Sequence, residues 1–183
     1  MSDGLYVPLS EGDLRLEPLA EHHREGLRAA TQADSEIWAI YPTNYAGEAF
    51  DRQFDILLAA PPQRRVYAIT VAGQVAGMTG WIERGAPGWA VEIGNSFIAP
   101  ALRGTGLNTS IKRLMLGHAF AQGLGRVEFR VDVRNARSQA AVLKLGAQRE
   151  GVLRAERVTW TGHVRDTAVF SILAQEWAES SRQ

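Results

Sequence analysis

The stretch ALRGTGLNTSIKRLMLG, residues 101–117, places two glycines one residue apart directly before a helical pattern. Glycine loses more conformational freedom on folding than any other residue, so Gly104 and Gly106 indicate a need for bare backbone. The segment 89–98 before them has the pattern of a strand, and an apolar stripe at helical spacing begins at Leu107. The sequence therefore predicts a strand–glycine loop–helix unit.

Such a loop suits an anion, because the first amides of a helix lack intrahelical partners and lie at the positive end of the helix dipole. Arg103 adds a positive charge, and a diphosphate is the natural guest. A plain strand-to-helix turn that needs glycine only for positive φ is the alternative, and for two bare glycines it is the commoner case. The P-loop pattern is absent, and a dinucleotide fingerprint would need a third glycine where Thr109 stands.

The flanking patterns predict an α+β domain with a mostly antiparallel sheet, in the order β-α-α-β-β-β-α-β-α-β-β. Pro61 and Pro62 end one helix, Ala72 and Gly73 form a tight hairpin turn, and Asn135 is placed to cap a short helix. The predicted strands are 14–19, 65–82 as a hairpin, 89–98, 126–134 and a closing pair within 147–173. The predicted helices are 21–33, 47–60, one from 107, and 135–146.

The composition suits one domain over residues 1–183. Lys plus Arg equals Asp plus Glu at 20 each, which argues against a nucleic-acid or anionic-membrane partner. The chain has no cysteine, its N-terminus lacks a signal-peptide pattern, and no apolar run approaches the ~20 residues of a spanning helix. The four histidines show no metal spacing. We therefore expect a cytoplasmic protein without a metal.

Three segments stand out together: RGTGLN after EIGNSFIAPA, then RVEFRVDVRNARSQAAVLKLGAQREGVLR, then GHVRDTAVFSILAQEW. They resemble the GNAT superfamily of N-acetyltransferases, and more narrowly its ribosomal-protein N-terminal (RimJ/RimL-like) branch. Arg103 and Gly106 match the family's Q/R-x-x-G-x-G/A loop, and Asn108 departs from it at the last position. The resemblance is close over 89–177 and looser over 14–88.

The resemblance implies a GNAT-type acyl-CoA N-acyltransferase fold with a splayed parallel strand pair in the middle of the sheet. It also implies acetyl-CoA as co-substrate, with its diphosphate on the loop amides and its pantetheine arm between the strands 95–98 and 126–133. The residues expected to contact it are Ser96, Phe97, Ile98, Arg103, Gly104, Thr105, Gly106, Leu107, Asn108, Thr109 and Asn135.

Two residues are candidates for the chemistry. Glu92 lies on the strand that leads to the loop and could accept a proton from the incoming ammonium. The alternatives are a carboxylate paired with an arginine or a charge on the strand face. Many GNAT members place a tyrosine near the leaving thiolate, but this chain has tyrosine only at 6, 41, 45 and 67. Ser138, in the N-x-x-S position after Asn135, is then the expected hydrogen-bond donor to sulfur; an idle hydroxyl is the alternative.

The acceptor pocket is assigned to aromatic side chains, Trp38, Tyr41 and Trp81, with burial in the core as the alternative. The charged run 149–157 is interpreted as a solvated strand face. The leading hypothesis is an acetyl-CoA-dependent N-acetyltransferase acting on a protein N-terminal α-amine or a small-molecule amine. A non-catalytic acyl-CoA-binding module of the same fold is the alternative, and the state of assembly, including a homodimer, is left open.

Overall fold

A computed structural model describes residues 4–180. Eight strands and five α-helices follow one another in the order β1-β2-α1-α2-β3-β4-β5-α3-β6-α4-β7-β8-α5. The strands are β1 (Leu9–Glu11), β2 (Leu14–Pro18), β3 (Arg64–Val71), β4 (Gln74–Glu83), β5 (Ala90–Ile98), β6 (Arg126–Asp132), β7 (Gln148–Val158) and β8 (Val164–Leu173). The helices are α1 (Arg24–Gln32), α2 (Phe50–Leu58), α3 (Leu107–Ala121), α4 (Ala136–Lys144) and α5 (Ala174–Ser180).

The strands form one sheet in the order β1-β2-β3-β4-β5-β6-β8-β7. Among the strand pairings of residues 4–180, only β5 with β6 is parallel. Their pairing begins at Ala90 with Arg126 and ends at Glu92 with Glu128, although both strands continue beyond it. The sheet therefore opens in its middle, beside the loop that leads into α3.

An irregularity in the pairing of β4 with β5 accompanies this opening. Met78 pairs with Phe97 and Gly80 with Gly94, so two residues of β5 face one residue of β4, which is a β-bulge. Asn95, inside the bulge, has φ +51°, in the left-handed region that asparagine tolerates better than most residues. A bulge bends its strand, so the end of β5 is turned away from β6.

The two faces of the sheet carry separate cores. On one face, Ile111 and Met115 of α3 pack with Val127 and Phe129 of β6, and Val142 of α4 joins them. On the other face, α1 and α2 cover a cluster that includes Trp38, Met78 and Phe97. Since side chains alternate along a strand, Glu92, Glu128 and Arg130 lie on the face opposite α3.

The predicted order of elements is confirmed except at the two ends of the described chain. The hairpin β3–β4, the closing pair β7–β8 and the strand–loop–helix unit all lie where the patterns placed them. The three-residue β1 and the seven-residue α5 were not predicted, because elements this short contain too few residues to show a period.

The contact between β4 and β5 leads to a stability prediction at Gly77. A Cβ atom there would lie 2.1 Å from the Phe97 carbonyl oxygen, so the strands must move apart. We expect Gly77→Ala to lower the free energy of unfolding by about 1–3 kcal/mol. Gly117→Ala is the matched control, because its Cβ would meet nothing within 4 Å in the interior of α3 and should stabilise by up to about 1 kcal/mol. Urea unfolding measures both, and an unchanged Gly77→Ala variant would contradict the assigned contact.

Candidate active site

A cavity of about 510 Å³ lies where β5 and β6 separate. It is lined by β5 from Glu92 to Ile98, by the loop before α3, by parts of α3 and α4, and by Ile37 and residues 40–43 on the other face. Its length from the loop to Glu92 crosses the sheet, because α3 and Glu92 lie on opposite faces. Two reactants could therefore enter from opposite sides and meet in the opening.

The loop before α3 presents open backbone to this cavity. Gly104 has φ +79° and Gly106 has φ +90°, and a Cβ on either would meet no atom within 4 Å. Within the described part of the chain, the amides of residues 104–108 donate no hydrogen bond. Thr105 instead uses its hydroxyl, which donates to the Leu102 carbonyl at 2.8 Å. Consecutive free amides at a helix N-terminus form a concave site suited to a diphosphate.

Arg103 does not point into that site. Its Nε donates to the Ile98 carbonyl at 2.9 Å and its Nη1 binds Asp34, whose pKa it holds below the ordinary range. Its Nη2 is buried without a hydrogen-bond partner among the described residues. Arg103 thus ties the loop to β5 and to the end of α1, and Arg137 and Lys144 of α4 supply further positive charge along the cavity wall.

The free end of β5 is held by side chains of the cluster under α1 and α2. The Tyr41 hydroxyl donates to the Ser96 carbonyl at 2.8 Å. Phe97 is buried against Trp38, with ring centroids 4.8 Å apart, while Ile98 lines the cavity. This segment therefore keeps its position without a neighbouring strand on the β6 side.

Lys112 is a functional candidate that the sequence analysis missed. It is 4% exposed on α3, lines the cavity, and donates from Nζ to the Thr79 hydroxyl at 3.2 Å and to the Ser96 hydroxyl. No carboxylate pairs with it among residues 4–180, and burial lowers the pKa of its ammonium to about 7. The only sequence signal is its position one residue after Ile111, at the edge of the apolar stripe of α3.

Asn135 and Ser138 stand together at the start of α4 and line the cavity. The Asn135 side chain accepts a hydrogen bond from the Ser138 amide at 3.0 Å, which caps the helix. The Ser138 hydroxyl makes no hydrogen bond among the described residues. A half-buried hydroxyl without a partner is available to a ligand.

Glu92 is 5% exposed and lies at the last position of β5 that pairs with β6. Its Oε2 accepts from Arg84 Nε at 2.8 Å, and Arg130 Nε lies 4.0 Å away. Burial raises the pKa of this carboxyl, and the charge of Arg84 opposes the rise. Its other oxygen lies beside Gly94, where a Cβ atom would approach it to 2.9 Å. Glu92 is thus both an arginine-paired carboxylate and an acceptor facing the cavity.

The three aromatic residues assigned to the acceptor pocket do not all lie at the cavity. Tyr41 lines the cavity. Trp38 and Trp81 are fully buried and lie outside it: Trp38 packs under α1 and α2, and Trp81 donates from Nε1 to the Tyr67 hydroxyl at 3.2 Å. Both indoles are thus used by the core, the alternative that their large apolar surface favours.

The charged run 149–157 is only partly a solvated face. Arg149 and Arg154 are exposed as expected, but Arg157 lines the cavity and binds Glu156 at 2.5 Å. A bulge in β7 between Leu153 and Arg157 turns the end of the strand inward. The described residues hold no group of three or more His, Cys, Asp or Glu arranged for a metal, and none of their helices is long and apolar enough to span a membrane.

Comparisons with known proteins agree on one family. The family model described as acetyltransferase (GNAT) domain matches residues 13–148. A protein from Chromobacterium violaceum assigned to the GNAT acetyltransferases is 33% identical, with a TM-score of 0.86 over 93% of this chain and 88% of that one. A GCN5-related N-acetyltransferase from Brucella melitensis is 25% identical, with a TM-score of 0.86 over 94% and 80%.

A spermidine N-acetyltransferase from Vibrio cholerae, solved with CoA and spermine, shares the fold. Its identity is 19% and its TM-score 0.74, over 92% of this chain and 99% of that one. A search of the curated proteins found no match.

Lys112 generates a prediction on pH and stability. Below about pH 7 both the folded and the unfolded chain bind its proton, and the cost of burying the charge is complete. Between pH 7 and the ordinary lysine pKa of about 10.4, only the unfolded chain keeps the proton, so the free energy of unfolding rises with pH. From pH 7 to 9 this contribution is up to about 2.7 kcal/mol.

We expect Lys112→Met to be more stable than the wild type at pH 7 and to lose this rise. The Thr79 and Ser96 hydroxyls lie 3.0 Å apart and remain hydrogen-bonded to each other. Lys144→Met, at an exposed position of α4, is the control and should follow the wild-type curve. Urea unfolding at pH 7, 8 and 9 gives the measurement, and parallel curves for Lys112→Met and wild type would disprove the assignment.

Proposed function

The chain belongs to the GNAT acetyltransferase family, and we propose that it transfers the acetyl group of acetyl-CoA to a primary amine by direct attack. The single observation that carries this proposal is the cavity at the opened β5–β6 pair, with a cradle of free amides on one face and Glu92 on the other. Acetyl-CoA is the co-substrate that the family uses, and the residues present fit it.

That fit rests on the loop and on α4. The open space at Gly104 and Gly106 and the amides of 104–108 suit the two phosphates of the diphosphate, with Arg137 and Lys144 as nearby charges. The unpaired edge of β5 beyond Glu92 suits an extended amide-containing arm such as pantetheine. Arg103 serves in this proposal to hold the loop in position, because its guanidinium is bound to Asp34 and Ile98.

We assign to Glu92 the role of the general base that accepts the proton of the incoming ammonium. The group is buried, faces the cavity and has a raised pKa, which brings its basicity closer to that of the amine it serves. Arg84 keeps the carboxyl ionised by its hydrogen bond to Oε2 and leaves Oε1 as the acceptor. The proton can pass directly or through one water.

We assign the hydrogen bond to the leaving sulfur to Ser138. Its hydroxyl is without a partner among the described residues, whereas the Tyr41 hydroxyl is bound to the Ser96 carbonyl and the Tyr45 hydroxyl accepts from Asn95 Nδ2 at 3.0 Å. A serine hydroxyl is a weak acid, so it stabilises the thiolate by hydrogen bonding rather than by full proton transfer. The RimJ/RimL-like branch, an α-amine acceptor, a homodimer and a cytoplasmic location stay predictions from the sequence.

Gly104 tests the cradle. We expect Gly104→Val to weaken acetyl-CoA binding about tenfold or more, because a branched side chain would fill the space assigned to phosphate. Gly73→Val is the matched control, since Gly73 has φ +78°, has equally open surroundings, and lies in the β3–β4 turn. Both variants carry the same backbone strain, and only the first should lose affinity in a calorimetric titration. Equal affinities in the two folded variants would refute the cradle.

Glu92 tests the base. As pH falls through its raised pKa the carboxyl takes up a proton, so kcat/KM should fall at a higher pH than an exposed glutamate would give. Glu92→Gln should lower turnover most at low pH, with partial recovery as free amine accumulates at high pH. Arg84→Gln should move the acidic limb to higher pH, because it removes the charge that lowers this pKa. If all three pH–rate profiles run parallel, Glu92 only orients the acceptor and leaves the catalytic set.

A further inference from the structure

The wall of the cavity is strongly unbalanced in charge. Among the described residues that line it, nine are cationic and two are acidic. The cationic residues are Arg64, Arg84, Arg103, Lys112, Arg130, Arg137, Lys144, Arg157 and Arg165, and the acidic ones are Glu92 and Asp132. The phosphates of acetyl-CoA account for Arg137 and Lys144 on α4, Arg103 is paired with Asp34, and Lys112 lies on α3. The five arginines at the other end are left without such an account.

The remaining arginines lie on the face opposite α3, where the acceptor amine would enter. Glu92 and Arg130 point to this face, and Arg165 follows by register because Asp132 pairs with Thr167, two residues along β8. Arg157 is directly opposite Arg165 on β7. The excess of positive charge at the acceptor end is therefore the part that the phosphates of acetyl-CoA do not explain.

Each acid at this end already has an arginine partner. Glu92 binds Arg84 at 2.8 Å, and Glu128 binds Arg130 at 2.7 Å. Asp132 binds Arg134 at 2.7 Å, and Glu156 binds Arg157 at 2.5 Å. Each of these four acids thus binds another arginine at 2.8 Å or less, whereas Arg165 has only the longer ion pair with Asp132 at 4.0 Å.

Arg165 is poorly satisfied where it lies. It is 5% exposed, its Nε is buried without a hydrogen-bond partner among the described residues, and the nearest carboxylate oxygen, on Asp132, is 4.0 Å away. Its Nη2 donates to the Arg130 carbonyl at 3.3 Å. Like charges directly opposite each other on paired strands destabilise a sheet, and burial together with the charge of Arg157 lowers the pKa of Arg165. Arg165 thus has one long ion pair, at 4.0 Å, with a carboxylate that Arg134 binds at 2.7 Å, and its Nε is left without a hydrogen bond among the described residues.

We propose that the acceptor is an amine that also carries a carboxylate, and that this carboxylate is bound by Arg165 while the amine lies at Glu92. This rests on the proposed function, because it assumes that an amine enters the face opposite α3. Arg64, half-buried in the same wall and without an ion pair among residues 4–180, adds to the positive potential. The carboxylate supplies a closer counter-charge, since guanidinium and carboxylate match in geometry and charge.

The same wall disfavours a polyamine. A linear polycation would bring several positive charges to an end whose acids are already paired, and like-charge contacts in a partly buried site are repulsive. The acceptor class inferred for this chain therefore differs from the one named for the spermidine N-acetyltransferase that shares its fold.

The test compares amines that differ only in the carboxylate. Thiol release from acetyl-CoA is measured with β-alanine against β-alaninamide, alanyl-glycine against alanyl-glycinamide, and spermidine. We expect the carboxylate member of a pair to have a kcat/KM about tenfold or more above its amide. Arg165→Gln should abolish that ratio, and Arg154→Gln, an exposed charge on β7, should keep it. A preference for the amides or for spermidine, or a ratio that Arg165→Gln leaves intact, would overturn the inference.

Two further arms keep the result decisive. If Arg165→Gln does not fold, Arg165→Lys, which keeps the charge, replaces it together with a salt series: the KM of the carboxylate acceptors should rise with ionic strength and that of the amides should not. Equal salt dependence would count against Arg165. If no amine releases thiol, the proposed function fails, and titration of the same pairs into CoA-saturated protein still decides the subsite: carboxylate binding lost in Arg165→Gln supports it, and no binding overturns it.

Discussion

The early end of the β5–β6 pairing is the constraint on which the rest of this structure depends. Three residue pairs hold the two strands, and the bulge in β4–β5 then turns β5 away. A sheet opened in its middle exposes backbone groups that must find partners or a ligand. From one face the Tyr41 hydroxyl donates a hydrogen bond to the Ser96 carbonyl, and from the other face Lys112 donates one to the Ser96 hydroxyl. The cavity is thus a consequence of strand geometry.

The site also carries a cost in stability. Three buried groups lie around one opening: a lysine without a carboxylate partner among residues 4–180, a carboxyl with a raised pKa, and an arginine whose Nε has no hydrogen-bond partner in that part of the chain. Buried charges are expensive unless they are paired. The cores on the two faces are apolar and regular, so the protein concentrates its unfavourable electrostatics where two reactants would meet.

Sequence patterns predicted the elements of the fold well, because the apolar periods, the glycine loop and the Ala72–Gly73 turn are local signals. The GNAT fold itself, confirmed by the comparisons, came from resemblance. The contents of the cavity were harder to predict. The inward turn of Arg157 depends on a bulge, the burial of Lys112 on the angle of α3 to the sheet, and the placement of Trp81 on which face of β4 meets α3. These placements depend on tertiary contacts, which the residues adjacent in the sequence do not reveal.

The charge balance of the whole chain hides the most informative local feature. Equal numbers of acids and bases, 20 of each, exclude a large basic field over the molecule. Among the described residues that line the cavity, nine are cationic and two are acidic. Positive charge is therefore concentrated in the cavity wall. An enclosed excess of one sign acts at short range in a low-dielectric space, where it selects ligands rather than steering them from a distance. A neutral protein can therefore still be selective for anionic partners at both ends of its active site, with phosphates on one face of the sheet and a carboxylate on the other.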